Sequence, residues 1–131
     1  MSLQISSFPA PTPTFLGTSL LGLGLLRLLA PKPAYTLFGL PLPASGSPSP
    51  FIFANAGRDI ALGLSALVLG GKGDGVGVRT LVCGTVVAAQ VDAYTVFMYG
   101  GREFGGWSGK WIGHSLGGLI LGVIAWYGWG C

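Results

Sequence analysis

Residues Phe51–Gly71, FIFANAGRDIALGLSALVLGG, decide how the chain is read. As an α-helix this run rises about 30 Å, enough to cross the hydrocarbon layer of a membrane. Arg58 and Asp59 stand side by side about a third of the way along it. Ionised side chains at membrane depth are costly, so they face a protein interior or a wet cavity and take partners there. Those partners must come from the other apolar runs.

Composition supports the membrane reading. Of 131 residues 50% are hydrophobic and only 8% are charged, and the mean hydropathy is +0.67. A water-soluble helical bundle covers its outside with Lys, Glu, Asp and Arg, and 7 basic plus 4 acidic residues cannot do that. The length fits one domain. The net charge of +3 is spread along the chain, without the basic stripe of a nucleic-acid surface, so no nucleic-acid partner is expected. Cys83 and Cys131 form no CxxC motif and no metal-ligand spacing. They read as free thiols, although both fall toward one membrane face, where a disulfide is conceivable. The opening MSLQISSFPAPTPT has no Lys or Arg and so lacks the basic region of a cleavable signal. The first apolar helix is expected to act as an uncleaved insertion signal.

In chain order, residues 1–14 read as a flexible tail, because Pro9, Pro11 and Pro13 oppose a helix. The first apolar run, 15–30, is FLGTSLLGLGLLRLLA, stopped by Pro31 and Pro33. Residues 31–50, with six prolines, read as a long loop, either a plain linker or one whose apolar piece, 35–40, dips into the interface or covers an entrance. The second span is 51–71 and the turn KGDGVG follows it. The third, 78–100, is VRTLVCGTVVAAQVDAYTVFMYG, and the glycine-rich GREFGGWSGK leads to the fourth, 111–129. Trp111 brackets that last run at one end, and Trp126, Tyr127 and Trp129 at the other. Their separation of ~23–27 Å of helix matches the aromatic belts of a bilayer. The expected fold class is all-α: a polytopic membrane protein whose membrane domain, 15–131, is an antiparallel bundle of four transmembrane helices. Gly17, Gly22, Gly24, Gly57, Gly63 and the overlapping Gly113/Gly117 and Gly118/Gly122 pairs suit close helix packing, within one chain or in a homo-oligomer.

Depth then sorts the polar residues. Counting inward from the face that carries the long loop, Arg27 lies one turn in. Arg58 and Asp59 lie ~10–12 Å in, Asp92 nearly as deep, Gln90 slightly deeper and His114 ~5 Å in. Every strongly polar group within the spans falls in one half of the membrane, whereas scattered snorkelling residues would divide between both. One polar pocket is expected there, with Asp92 as the partner of Arg58. The spacing of Thr85, Ala88, Asp92, Thr95 and Tyr99 makes a small and polar stripe around Asp92. Gln90 points to a different neighbour, and Asn55 stands one turn before Asp59. Arg27, near the interface, is expected mainly to snorkel.

The runs LGLGLLRLLAP, ANAGRDIALGL, VDAYTVF and GHSLGGLILG occur in that order over roughly 15–129. In this the chain resembles a group of small fungal integral membrane proteins, catalogued as a domain of unknown function and similar to the DoxX-like four-helix proteins. The resemblance implies a four-helix membrane fold, with Arg27, Arg58, Asp59, Asp92 and His114 as the family residues, and supplies no reaction. Some fungal membrane proteins of this size serve secondary-metabolite pathways, which points to an isomerase or cyclase.

Two functions follow from the residues. In the first, the pocket binds a lipophilic small molecule from the bilayer and transforms it by acid–base chemistry. Asp92 or His114 acts as acid or base, Arg58 stabilises developing charge and Asp59 orients Arg58; Asn55, Gln90, Arg27 and Tyr99 contact the ligand. No cofactor is called for, and Arg58 would repel a metal ion held by Asp59, Asp92 and His114. In the second, the polar network only fixes helix register in a structural or assembly subunit. The Lys and Arg flanking the spans favour the loop-rich face by three to two, a slight cytosolic bias. The sequence does not specify the organelle, and the endoplasmic reticulum is one membrane that suits it.

Overall fold

The computed structural model describes residues 11–127, and everything described is helix, turn or loop, with no strand. Helix α1 is Pro11–Leu29, α2 is Pro31–Phe38, α3 is Pro50–Gly71 and α4 is Gly75–Tyr99. A single turn, α5 (Gly101–Phe104), and a 3-10 turn precede α6, Lys110–Tyr127. Three helices are long and apolar enough to cross a membrane: Thr12–Leu29, Pro50–Gly71 and Gly75–Tyr99. The apolar side chains they leave outside agree with that, Leu29 being 83% and Val87 65% exposed. A water-soluble chain rarely presents so many at once.

Two segments differ from the sequence expectation for one reason. α1 starts at Pro11, inside the expected tail, and 31–38 is a helix inside the expected loop. The prolines sit in the first turns, at Pro11 and Pro13, Pro31 and Pro33, and Pro50. The N–H groups of a first turn have no intrahelical acceptor, so proline loses nothing there and its fixed φ suits the helix. These prolines start helices rather than prevent them. Gly39 closes α2 at φ 93°, a left-handed conformation that favours glycine. The expectations for residues 1–10, Trp129 and Cys131 lie outside the described residues.

α1 packs chiefly on α3 and α4 on α6, with a lighter contact between α3 and α4. The α1–α3 seam runs on small residues. A Cβ added at Gly24 would stand 2.9 Å from the Ala56 carbonyl, at Gly17 2.9 Å from that of Gly63, and at Gly70 2.6 Å from Pro13. Ala56, Gly63 and Gly70 are seven residues apart, as are Gly17 and Gly24. A seven-residue step is close to two full turns, so each set lines one face. Only some of the expected glycines serve packing: Gly22, Gly57, Gly113 and Gly117 face open space, whereas Gly118 meets Gln90 and Ala89 of α4. Gly57→Ala should therefore gain up to about 1 kcal/mol of helix propensity. Gly63→Ala, whose Cβ meets Gly17 O at 2.8 Å and Leu21 N at 2.9 Å, should lose about 1–3 kcal/mol by prising α1 from α3. Unfolding of both variants in mild detergent checks this; equal stabilities would refute the seam.

Trp111 is not a belt residue facing outward. It is half-buried, edge-on to Phe97 at 5.7 Å between ring centres, and packs on the cluster of Phe38, Val96 and Phe104. Trp126 and Tyr127, at the other end of α6, are exposed as expected.

Candidate functional site

The seam positions the first charged pair. Asp59 follows Ala56 by three residues and so shares its buried face. Arg27 follows Gly24 by the same step on α1. Because the contacts of the two helices run in reversed order these steps lead apart along the seam, and the length of the Arg27 side chain spans the difference. Asp59 is 2% exposed and Arg27 6%. The Arg27 Nη1–H donates to Asp59 Oδ2. Next along α3, Arg58 donates from Nε and Nη2 to Asp59 Oδ1, both at 3.2 Å. It also reaches α4, where its Nη1 and Nη2 donate to the two oxygens of Asp92 at 3.1 and 2.9 Å. Such a two-pronged contact is the strong form of a guanidinium–carboxylate pair.

Charges thus alternate along one chain, Arg27–Asp59–Arg58–Asp92, tying α1 to α3 to α4. Two positive and two negative groups sum to zero, which limits the cost of taking them out of water. The Arg58–Asp92 pair is the one expected from helix depth. Arg27 is a correction: it does not snorkel. α2 folds back over it, and the Phe38 ring lies 5.0 Å from the guanidinium carbon, a cation–π contact that takes the place of water.

His114, on α6, stands apart from the charged chain. Its ring packs on Phe38 at 4.8 Å, and Nε2 lies 2.8 Å from the Phe38 carbonyl oxygen. A carbonyl can only accept, so Nε2 carries the hydrogen and Nδ1 of the neutral ring keeps a free lone pair. Gln90 does turn to another neighbour: its Nε2 donates to the Ser115 carbonyl, and Ser115 Oγ donates back to Gln90 Oε1, both at 3.1 Å. Asn55 is half-buried on α3 and is not among the hydrogen-bond partners of the charged chain, and Tyr99 is exposed at the end of α4.

Between α1 and α6, which make no extensive contact with each other, lies a cavity of about 680 Å³. That is the size range of small-molecule pockets, ~300–1,000 Å³. Its floor holds Arg58, Asp59, Thr85 and Asp92, with Arg27 and His114 at one end. Its walls are apolar: Leu16, Leu20 and Leu23 from α1, and Ile120, Leu121 and Ile124 from α6. Asn55, Gln90, Thr95 and Tyr99 do not line it. Gly113 and Gly117, expected to pack against a helix, border the cavity instead. Because Phe15, Leu23 and Ile120 on its rim are exposed, the cleft is open along the flank between the two helices.

α2 closes one end. Lys110 Nζ donates to the Thr36 carbonyl at 3.0 Å, and a further cavity of about 70 Å³ beneath α2 shares Leu23, Arg27 and His114 with the large one. At the other end Leu16, Ala66, Val78, Val82 and Ala125 form a core. The Ser49 N–H donates to the Tyr35 hydroxyl at 2.7 Å, which anchors α2 to the start of α3. Cys83 is an exposed thiol on α4.

Three apolar helices of spanning length and a charged floor beneath an apolar cleft make this a multi-pass membrane protein with a pocket among its helices. A family model described as "Domain of unknown function (DUF4267)" matches residues 17–128, and the chain belongs to that family. No curated protein and no solved structure matches it. Two parts of the site were missed from sequence: the Arg27–Asp59 pair and the place of Phe38 between Arg27 and His114. The seven-residue spacing of small residues on α1 and α3 is the signal that could have found the first.

Proposed function

We propose that the cleft binds a lipophilic small molecule that enters from the bilayer between α1 and α6. In this reading α6 is the fourth span of an antiparallel bundle like that of DoxX-like proteins. Its 18 residues rise about 27 Å, and the reversed order of contacts between α1 and α3 suits alternating helix directions. The observation that carries the proposal is that Arg27, Arg58, Asp59 and Asp92 all border one apolar cavity. Charges needed only for helix register would be packed dry.

The ligand's apolar body lies along the α1 and α6 walls and its polar end meets the charged floor. Both Asp92 oxygens are held by Arg58, so the role of base falls to His114 Nδ1 rather than to Asp92. Arg58 and Arg27 supply positive charge where a negative oxygen develops, and Asp59 positions both. A proton taken from one carbon and returned to another shifts a double bond, an isomerisation. If the electron pair released instead closes a ring onto a second double bond of the same molecule, whose far carbon takes the proton, the result is a cyclisation. Neither needs a co-reactant.

A second reading is favoured by one observation: the carboxylate oxygens of Asp59 and Asp92 are all occupied, as a network serving only assembly would have them. Asp92→Asn separates the two, because it keeps the shape and removes the charge. Arg58 is 32% exposed and keeps Asp59, so the variant should fold with a loss of about 1–3 kcal/mol. The first reading expects the amount of lipophile that co-purifies with the protein to change by roughly tenfold, rising for an anionic head because a negative charge is lost from the floor of the cleft. An unchanged amount in a weakened protein supports the structural reading.

A further inference from the structure

Resting on the cleft being a binding site, we infer that its ligand is an acyl-chain molecule with an oxygen-acceptor head, a carboxylate or carbonyl, held by Arg27, and that cationic amphiphiles are rejected. The argument is an inventory of donors and acceptors. Asp59 accepts at Oδ2 from Arg27 and at Oδ1 from Arg58, and both Asp92 oxygens accept from Arg58. All three nitrogens of Arg58 donate within the chain of charges. Arg27 alone is under-used. It has five N–H donors, and among the described residues one hydrogen bond, from Nη1 to Asp59.

Arg27 is 6% exposed and borders both the large cavity and the small one under α2. Its unused N–H groups face these cavities rather than packed protein, so a ligand that supplies an oxygen there gives what water would otherwise give. Beside it His114 offers the Nδ1 lone pair when neutral and an N–H when protonated, so the same end accommodates a carbonyl or a carboxylate. An ammonium head finds the carboxylates already engaged and two guanidinium groups close by. The walls of the cleft, from Leu23 to Leu16 and Ile124, are apolar and take the chain. A volume of about 680 Å³ suits a drug-sized molecule and is too small for a two-chain phospholipid.

The test uses the purified full chain in mild detergent and three probes of one length: hexadecanoic acid, methyl hexadecanoate and hexadecylamine. Native mass spectrometry reads their occupancy, and Gly117→Phe, which fills the cleft, defines what is bound inside it. The parent should hold the acid and the ester at least about tenfold more tightly than the amine. In Arg27→Met that preference should vanish. Cleft binding of the amine as tight as that of the acid overturns the inference while leaving the cleft a binding site. Retention of acid binding by Arg27→Met also overturns it. If no probe is displaced by Gly117→Phe, the binding reading falls and the inference with it. Should Arg27→Met not fold, the ranking of heads in the parent decides alone.

Discussion

Asp59→Leu is expected to lower stability by about 3–5 kcal/mol, the largest effect of any single charged residue in the chain. Asp59 is the hinge of the alternating network: one oxygen serves Arg27 and the other Arg58, and only 2% of the residue is exposed. Removing it strands the Arg27 guanidinium, itself buried, with the Phe38 ring as its remaining partner. Arg58 suffers less, because its two-pronged contact with Asp92 survives. The double variant Asp59→Leu, Arg27→Met removes the stranded charge together with its partner and should recover most of the loss, as apolar replacement of buried pairs often does. Unfolding followed by circular dichroism in detergent checks both. A single variant as stable as the parent would mean that Arg27 and Asp59 are solvated rather than buried together.

Adjacent glycines on α6 carry the second large prediction. Gly118→Leu should cost about 2–4 kcal/mol, through overpacking and lost interhelical hydrogen bonds. A Cβ there stands 2.6 Å from Gln90 Nε2 and 3.0 Å from Ala89 Cβ, so Gln90 must leave Ser115 and α6 must move off α4. At Gly117, one residue earlier, an added Cβ meets nothing within 4 Å, and the ring of Gly117→Phe enters the cleft that this residue borders. It should leave the melting temperature unchanged or slightly raised and abolish ligand binding. Equal destabilisation by both substitutions would contradict the helix facing described above.

The apolar runs that form α1, α3 and α4 are legible because a hydrocarbon environment demands long uncharged stretches. Arg58, Asp59 and Asp92 were legible because charges at membrane depth need partners at the same depth. Proline misled at Pro11, Pro13, Pro31 and Pro33, where the element it breaks and the element it begins look alike in composition. That error hid α2, and without α2 nothing in the sequence showed that Arg27 would be roofed by Phe38. His114 was placed near the pocket by depth, but its hydrogen bond to a backbone carbonyl lies beyond side-chain patterns. The glycine motifs indicate the right kind of packing at Gly17, Gly24, Gly63 and Gly118 but not at Gly22, Gly57, Gly113 and Gly117, the last two of which border the cleft.

The central claim, a ligand site between α1 and α6, is tested most directly by solvent extraction and mass spectrometry of lipophilic molecules carried by the purified parent and Gly117→Phe. The account predicts one molecular species bound in stoichiometric amount by the parent and missing from the well-folded variant. The same mixture of lipids at the same level in both proteins would contradict it.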